Sequence, residues 1–219
     1  MAQGKRFKWQ GSSVQIQTGF SATKAVTGIS KANPGVVTAT AHGILDGQVF
    51  RVAGVTGMTE VNDALYVASG VTANTVALTD TNTTNYATYV SGGTLAPATY
   101  SDFCELTGFD QEDGTAEEID VTTICSTSKE FEVGLADSGS VTLSYNYAGA
   151  ETAQAALRAA KLSGETISLI VTLPKSGGRL VMFGVVQSQS LNGGNGGVWT
   201  GSAQIKLSGK LYALANLAA

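Results

Sequence analysis

TYSDFCELTGFDQEDGTAEEIDVTTICSTSKEFEVGLADSGSVTLSYNY, residues 99–147, is the stretch on which the rest of the chain depends. Its first part is acidic. Glu105, Asp110, Glu112, Asp113, Glu117, Glu118 and Asp120 supply seven of the seventeen carboxylates, with no Lys or Arg among them. That composition predicts a flexible, charged loop. Its last part alternates: Val141, Leu143 and Tyr145 are separated by Thr142, Ser144 and Asn146, the period of a strand buried on one side. The whole stretch is expected as a strand, a charged loop, a strand, a second loop and a third strand. Within the second loop, Ser126–Ser138, Phe131 and Leu135 are apolar residues among polar ones, close to Lys129, Glu130 and Glu132. A loop that orders on contact with a partner needs such anchors.

Composition agrees with a folded, β-rich chain. The 219 residues are 43% hydrophobic and only 14% charged, well away from the balance of disordered segments. There are 27 Gly against 3 Pro, which suits many short strands joined by tight turns. The net charge of −4 argues against a nucleic-acid binder, because gripping phosphates takes a basic surface. An acidic surface instead suits DNA passing by without sticking. Gly4–Trp9 is basic and aromatic with no apolar core behind it, so no secretory signal is read there. The two cysteines, Cys104 and Cys125, are therefore expected as free, partly buried thiols. No apolar run approaches the ~20 residues that span a bilayer.

Taken in order, residues 1–10 form a short arm in which Lys5, Arg6 and Lys8 could meet an acidic neighbour. Ser12–Thr18 alternates as a half-buried strand. From Phe20 to Ala96 charges are few and Val, Thr, Ala and Gly are many. Asn33-Pro34-Gly35 and His42-Gly43 mark turns, with strands expected at Val36–Ala39, Gln48–Ala53, Leu65–Ala68 and Thr75–Thr79. Residues 22–96 are read as a small all-β module inserted into a larger discontinuous domain, residues 1–21 and 97–219. Asn82–Ser91 with Gly92-Gly93 reads as the linker back, ending near Pro97. Ala150–Leu162 is the one clear helix: Ala153, Ala156, Leu157 and Ala160 make an apolar stripe, Glu151 lies in the first turn, and Gly164 suits the C-terminal cap. Strands follow at Thr166–Leu173, Arg179–Val186 and Val198–Leu211. In the last of these Trp199, Ala203, Ile205, Leu207 and Leu211 are expected to point inward. The fold class is mainly β, a sandwich or barrel of roughly six to eight strands with one flanking α-helix.

Chemistry-bearing constellations are scarce. A hydrolytic triad would need His42, the single histidine, which precedes Gly43 in a turn and reads as an exposed ring. Glu117 and Glu118 are adjacent, and neighbours in a strand point to opposite sides, whereas a glycosidase pair faces across a cleft. Asn192-Gly193-Gly194-Asn195-Gly196-Gly197 lacks the Gly-Lys-Ser/Thr ending of a phosphate loop and reads as a hairpin turn. No catalytic residue, cofactor or metal site is expected.

The order Asp120–Thr123, Ser128–Phe131, Gly134–Gly139 and Val141–Tyr147 resembles the major tail tube proteins of long-tailed, siphovirus-type phages. The resemblance covers residues 10–19 and 98–215. It implies a β-sandwich or barrel with a flanking helix, assembled as hexameric rings stacked helically into a hollow tube in the virion, after synthesis in the host cytoplasm. Implied partners are further copies of the chain and the tape measure, tail tip and terminator proteins. DNA would pass through without specific binding. On that basis Asp110, Glu112, Asp113, Glu117, Glu118 and Asp120 become candidates for a negative lumen wall. Lys129, Glu130, Phe131, Glu132 and Leu135 become candidates for ring stacking. The 22–96 segment, with its Asn-Pro turn, His-Gly turn and Gly57-Met58-Thr59-Glu60-Val61-Asn62 run, resembles small β modules that recur in phage structural proteins. Two other classes stay open: a secretion-system tube subunit, and a carbohydrate-binding or adhesive β-module. The latter would need an aromatic platform built from Trp9 or Trp199.

Overall fold

The structure, a computed structural model, describes residues 7–215 and is mainly β with one α-helix. Its strands are β1 (Ser13–Phe20), β2 (Lys24–Ala25), β3 (Gly28–Ile29), β4 (Val36–Thr38), β5 (Val49–Thr56), β6 (Leu65–Ser69), β7 (Thr75–Leu78) and β8 (Ser91–Asp102). These are followed by β9 (Leu106–Glu112), β10 (Ala116–Asp120), β11 (Phe131–Ala136) and β12 (Ser140–Asn146). Helix α1 (Thr152–Ser163) comes next, then β13 (Ile167–Thr172), β14 (Arg179–Asn192), β15 (Thr200–Leu207) and β16 (Tyr212–Leu214). Residues 1–6, and with them Lys5 and Arg6 of the expected arm, lie outside the described residues.

The chain divides into two compact units. The first holds the described parts of Met1–Phe103, Ser168–Val181 and Tyr212–Ala219. Its strands run in the order β3-β4-β7-β6-β5-β8-β1-β13, with β2 on β8 and β16 on the start of β14. The strands expected within 22–96 form close to their predicted bounds, because Val and Thr alternate there between Gly-rich turns. They enclose a core in which Phe50, Val52, Met58, Val61, Leu78 and Leu95 are wholly buried.

The motif residues of this segment serve its turns. The Asn62 amide accepts from the Val55 N–H at 2.8 Å and donates to the Val55 carbonyl at 2.9 Å, standing in for a strand partner. Thr83, wholly buried, gives its hydroxyl to the Ser30 carbonyl at 2.7 Å. Gly35 is required by that threonine and not by a positive φ: a Cβ there would lie 2.5 Å from the Thr83 methyl. His42 is buried rather than exposed. Its Nδ1 accepts from the Ile44 N–H at 3.1 Å, so the ring closes its own turn.

The expected linker, residues 82–97, is strand only in its last part: β8 begins at Ser91, pairs with β5 up to the Phe50–Pro97 register and continues onto β1 from the Phe20–Ala98 register. Gly92 and Gly93 are strand residues at positive φ, where Gly93 passes close to Val55. Across β1, β8 and β13 the buried polar groups satisfy one another. The Gln17 Oε1 accepts from the Ser168 N–H at 3.0 Å and from its hydroxyl at 2.8 Å, and that hydroxyl meets the Tyr100 hydroxyl at 2.7 Å. Arg179, also buried, donates to the Gly47 carbonyl at 3.1 Å.

The second unit comprises Cys104–Ile167 and Met182–Leu211. Its sheet runs β14-β15-β12-β9, all antiparallel, with a separate two-stranded ribbon, β10-β11. No pairing joins the outer strands in either unit, so among the described residues the sheets are open and no barrel closes. Helix α1 carries Ala153, Leu157 and Ala160 on its buried side, as predicted from their spacing, together with Gln154. Gln154 joins the helix to the end of β12, accepting from the Ala148 N–H at 3.0 Å and donating to the Asn146 carbonyl at 2.9 Å. Gly164 ends the helix in the left-handed conformation, its N–H on the Ala160 carbonyl at 2.9 Å. Glu151 is not in the first turn but at the N-cap, where its carboxylate accepts from the Cys104 N–H at 3.0 Å.

Candidate assembly surfaces

The four-stranded sheet of the second unit has two unlike faces, set by the alternation along each strand. Val141, Leu143 and Tyr145 of β12 and Ala203, Ile205 and Leu207 of β15 are buried on one face. Tyr145 lies near enough to Arg158 of α1 for the cation to act on its hydroxyl. The other face is polar. Register puts Asp110 and Glu112 of β9 beside Thr142 and Ser140 of β12, and these beside Gln204 and Lys206 of β15. Ser202 follows, its hydroxyl 2.9 Å from that of Ser190 on β14. Lys206 donates to the Asp137 carboxylate, and that hydrogen bond holds the Asp137 carboxyl below the ordinary aspartate range, helped by the Gly139 N–H. With Lys206 neutralised, Asp110 and Glu112 set the sign of the face.

The ribbon projects from the sheet between Glu112 and Ser140. It pairs Glu118 with Val133, Ile119 with Glu132 and Asp120 with Phe131. Ala116 pairs with Ala136, so Gly134 and Leu135 together oppose Glu117 as a bulge. The turn at its tip is closed by side chains: the Thr122 N–H reaches Asp120 at 2.9 Å, and the Ser126 hydroxyl reaches Glu130 at 3.1 Å. The Thr122 hydroxyl and N–H keep the Asp120 carboxyl below its usual range. Lys129 lies 5.8 Å above the Phe131 ring, a cation–π contact. The apolar residues of the ribbon are open to solvent: Phe131 is 48% exposed, Val133 80%, Leu135 93% and Ile124, at the tip, 97%. A cleft of about 490 Å³ opens at the ribbon's root, floored by Met182 and Leu207 and edged by Asp113, Asp137 and Lys210.

The acidic stretch is therefore not one charged loop. Asp110 and Glu112 lie in β9 on the polar face, Asp113 in the turn after it, and Glu117, Glu118 and Asp120 in β10. The stacking candidates are not in a loop either: Lys129 and Glu130 close the tip, while Phe131, Glu132 and Leu135 form part of β11. β10 shows no apolar period, and none of its residues is buried. β11 does alternate, with Phe131, Val133 and Leu135 apolar and Glu132 and Gly134 between them, but its polar flanks make it read as a loop. Trp199 and Leu211, expected inward, are exposed. Both lie beyond the ends of β15, where the sheet no longer has a covered side. Cys104 and Cys125 are free thiols and are exposed rather than partly buried. Among the described residues no group of acids, His and Cys is arranged to hold a metal, and no helix is long and apolar enough to cross a membrane.

Residues 81–181 match the family described as phage tail tube, TTP, lambda-like. Among solved structures, the chain is similar to a protein in the tail of an empty gene transfer agent particle, refined helically with C6 symmetry. That pair is 21% identical, with 53% of this chain and 87% of the other covered at a TM-score of 0.44. A chain from the virion of a native gene transfer agent particle is 19% identical, with 55% and 89% covered and a TM-score of 0.43. No curated protein matches.

Proposed function

We infer that this chain, a structural protein of a phage tail whose residues 81–181 belong to the lambda-like tail tube family, closes into hexameric rings that stack into a conduit for DNA. The polar face of β9, β12, β15 and β14 carries this proposal. A wall against which a polyanion slides must hold no unpaired cation and offer no flat apolar area. This face presents Ser, Thr and Gln side chains, one Lys already bound to Asp137, and the free carboxylates of Asp110 and Glu112. Repeated around a ring and along a tube, those two carboxylates make the bore negative. Asp113 sits at its rim. Glu117, Glu118 and Asp120 belong with the ribbon and act in contacts between copies.

Ring closure uses the outer edge of β9, which has no partner strand among the described residues. An exposed edge is a hazard in a monomer and a joint in an assembly. Ring stacking uses the ribbon, with Phe131 and Leu135 as apolar anchors and Lys129, Glu130 and Glu132 around them. The inserted module, residues 22–96, lies on the outside of the tube, its bulk being too great for a lumen. Tape measure, tail tip and terminator proteins are the partners in the bore and at the ends.

Electron microscopy of the purified chain over a range of concentrations tests this directly. Hollow tubes with six-fold end views and no affinity for DNA are the expected result. Isolated globules at every concentration, or a bore that retains DNA, would refute it. Replacing residues 22–90 by a short turn, which leaves β8 whole, should leave tube formation intact; its loss in a still-folded variant would misplace the module.

A further inference from the structure

The four-stranded sheet of the second unit ends in two different ways. At one end Glu112, Ser140 and Lys206 are in register, and the ribbon springs from there with its apolar residues uncovered. At the other end Asn146, Thr200 and Asn192 are in register. Beyond them stand Tyr147, Val198 and Trp199, and Leu191 lies one residue inside the row; all four are uncovered. At the usual rise per residue, the length of β12 separates the two ends by about 20 Å.

The second end is a built shelf. The Trp199 indole rests on the backbone of Gly193, so closely that a Cβ there would come within 2.9 Å of three ring carbons. The ring is thus held in place while 59% exposed. The Tyr147 N–H donates to the Trp199 carbonyl at 2.8 Å, which sets Tyr147 alongside. Leu191 pairs with Gly201, two residues from Trp199, and so falls on the same side.

We propose that these ends are the two halves of one joint: the β10–β11 ribbon of one copy seats on the Trp199–Tyr147–Leu191 shelf of the next. The proposal rests on the stacking role given to the ribbon above and names its receptor. Charge chooses this pairing over ribbon against ribbon. The ribbon carries Glu117, Glu118, Asp120, Glu130 and Glu132 against Lys129 alone, so two ribbons face to face would repel. From Leu180 to Ile205 the chain has no charged residue, and around Tyr147 stand Glu105 and Glu151 with Arg158, so the shelf repels an acidic ribbon less than a second ribbon would. Two unlike patches at opposite ends of one subunit give a head-to-tail contact that does not close, which is what a growing tube needs. A pinned Trp flanked by Tyr is the kind of anchor that dominates such interfaces.

Two full-length variants test it. Val198→Ser with Trp199→Ala removes the shelf; Phe131→Ala with Leu135→Ala removes the ribbon's anchors. Each alone is expected to form rings but no tubes, with the critical concentration for tubes raised about tenfold or more. An equimolar mixture should yield paired rings, because the first variant keeps its ribbon and the second keeps its shelf. If the shelf variant polymerises normally while the ribbon variant does not, the receptor is wrong and the ribbon's role stands. If the ribbon variant polymerises normally, the stacking role itself falls.

A third variant leaves the apolar residues untouched. With Cys104→Ser and Asn195→Cys, a short bismaleimide should link Cys125 at the ribbon tip to position 195 of the next copy, giving a covalent ladder. Tubes that form without a ladder would overturn the proposal. So would binding of a neutral oligosaccharide at the shelf that is lost in Trp199→Ala while tubes persist.

Discussion

Asp137, at the root of the ribbon, holds Lys206 of β15, and the pair cancels the cation on the sheet's polar face. Replacing Asp137 by Asn should leave that charge uncompensated on the face proposed to line the bore. Tubes of the variant are expected to retain double-stranded DNA at low ionic strength and to lose it as salt rises, because counterion release weakens phosphate contacts. Filter retention of labelled DNA measures this. The Asp137 carboxyl is held below its ordinary range, so its favourable contribution is present at neutral pH and is lost only as pH falls through that depressed value. Wild-type tubes should therefore begin to hold DNA only under acid conditions, as pH falls through that depressed value.

Asp110→Lys with Glu112→Lys reverses the sign of the same face without touching the buried side of the sheet. Tube assembly should persist, and DNA should be retained more strongly than with Asp137→Asn, since two charges are reversed rather than one exposed. An unchanged DNA response would mean that this face does not line the bore.

Exposed anchors and buried residues separate assembly from stability. Phe131→Ala together with Leu135→Ala should change the stability of the unassembled subunit by only about 0.5 kcal/mol, since both side chains face solvent. Leu143→Ala, in the covered face of β12, should cost about 2–5 kcal/mol. Urea denaturation of subunits kept below the assembly concentration distinguishes the two cases.

Asn62→Ala should destabilise the first unit by about 1–3 kcal/mol. The two backbone groups of Val55 that it serves would be left without partners in a part-buried setting. Asn62→Asp keeps the acceptor but not the donor and should fall between. Thermal melting followed by circular dichroism reads both.

Burial pushes the Tyr66 hydroxyl up to about 12, with the nearby Tyr86 adding to the shift. The unfolded chain ionises nearer pH 10, so Tyr66 favours the folded state below that pH. Its contribution is lost as pH rises from about 10 toward about 12. Tyr66→Phe should flatten this alkaline decline, and ultraviolet titration should show one phenol fewer ionising late.

The β class, the single helix with its Ala153–Leu157–Ala160 stripe, the Gly164 cap and the strands within 22–96 are legible from the chain alone. Each depends on contacts a few residues apart: the period of apolar positions, a glycine after a helix, a turn dipeptide. Because its turn residues and alternating strand stand in sequence, the order around Asp120–Tyr147 likewise carries a resemblance to tail tube proteins, and it lies within the residues that match that family. What tertiary structure decides is which side of an element is covered. Trp199 continues the alternation of β15 but lies past its end, so it forms an exposed shelf over Gly193. Phe131, Val133 and Leu135 alternate as a strand does, but only the fold shows that their side stays open to solvent. His42 is buried by a turn whose closure depends on its own ring. Asp110 and Glu118 look alike in sequence, and only the pairing of β9 with β12 and of β10 with β11 sends one to the polar face of the sheet and the other to the ribbon. Covalent order specifies periods and turns; burial is a property of the surfaces that meet, and those are chosen by residues far apart in the chain.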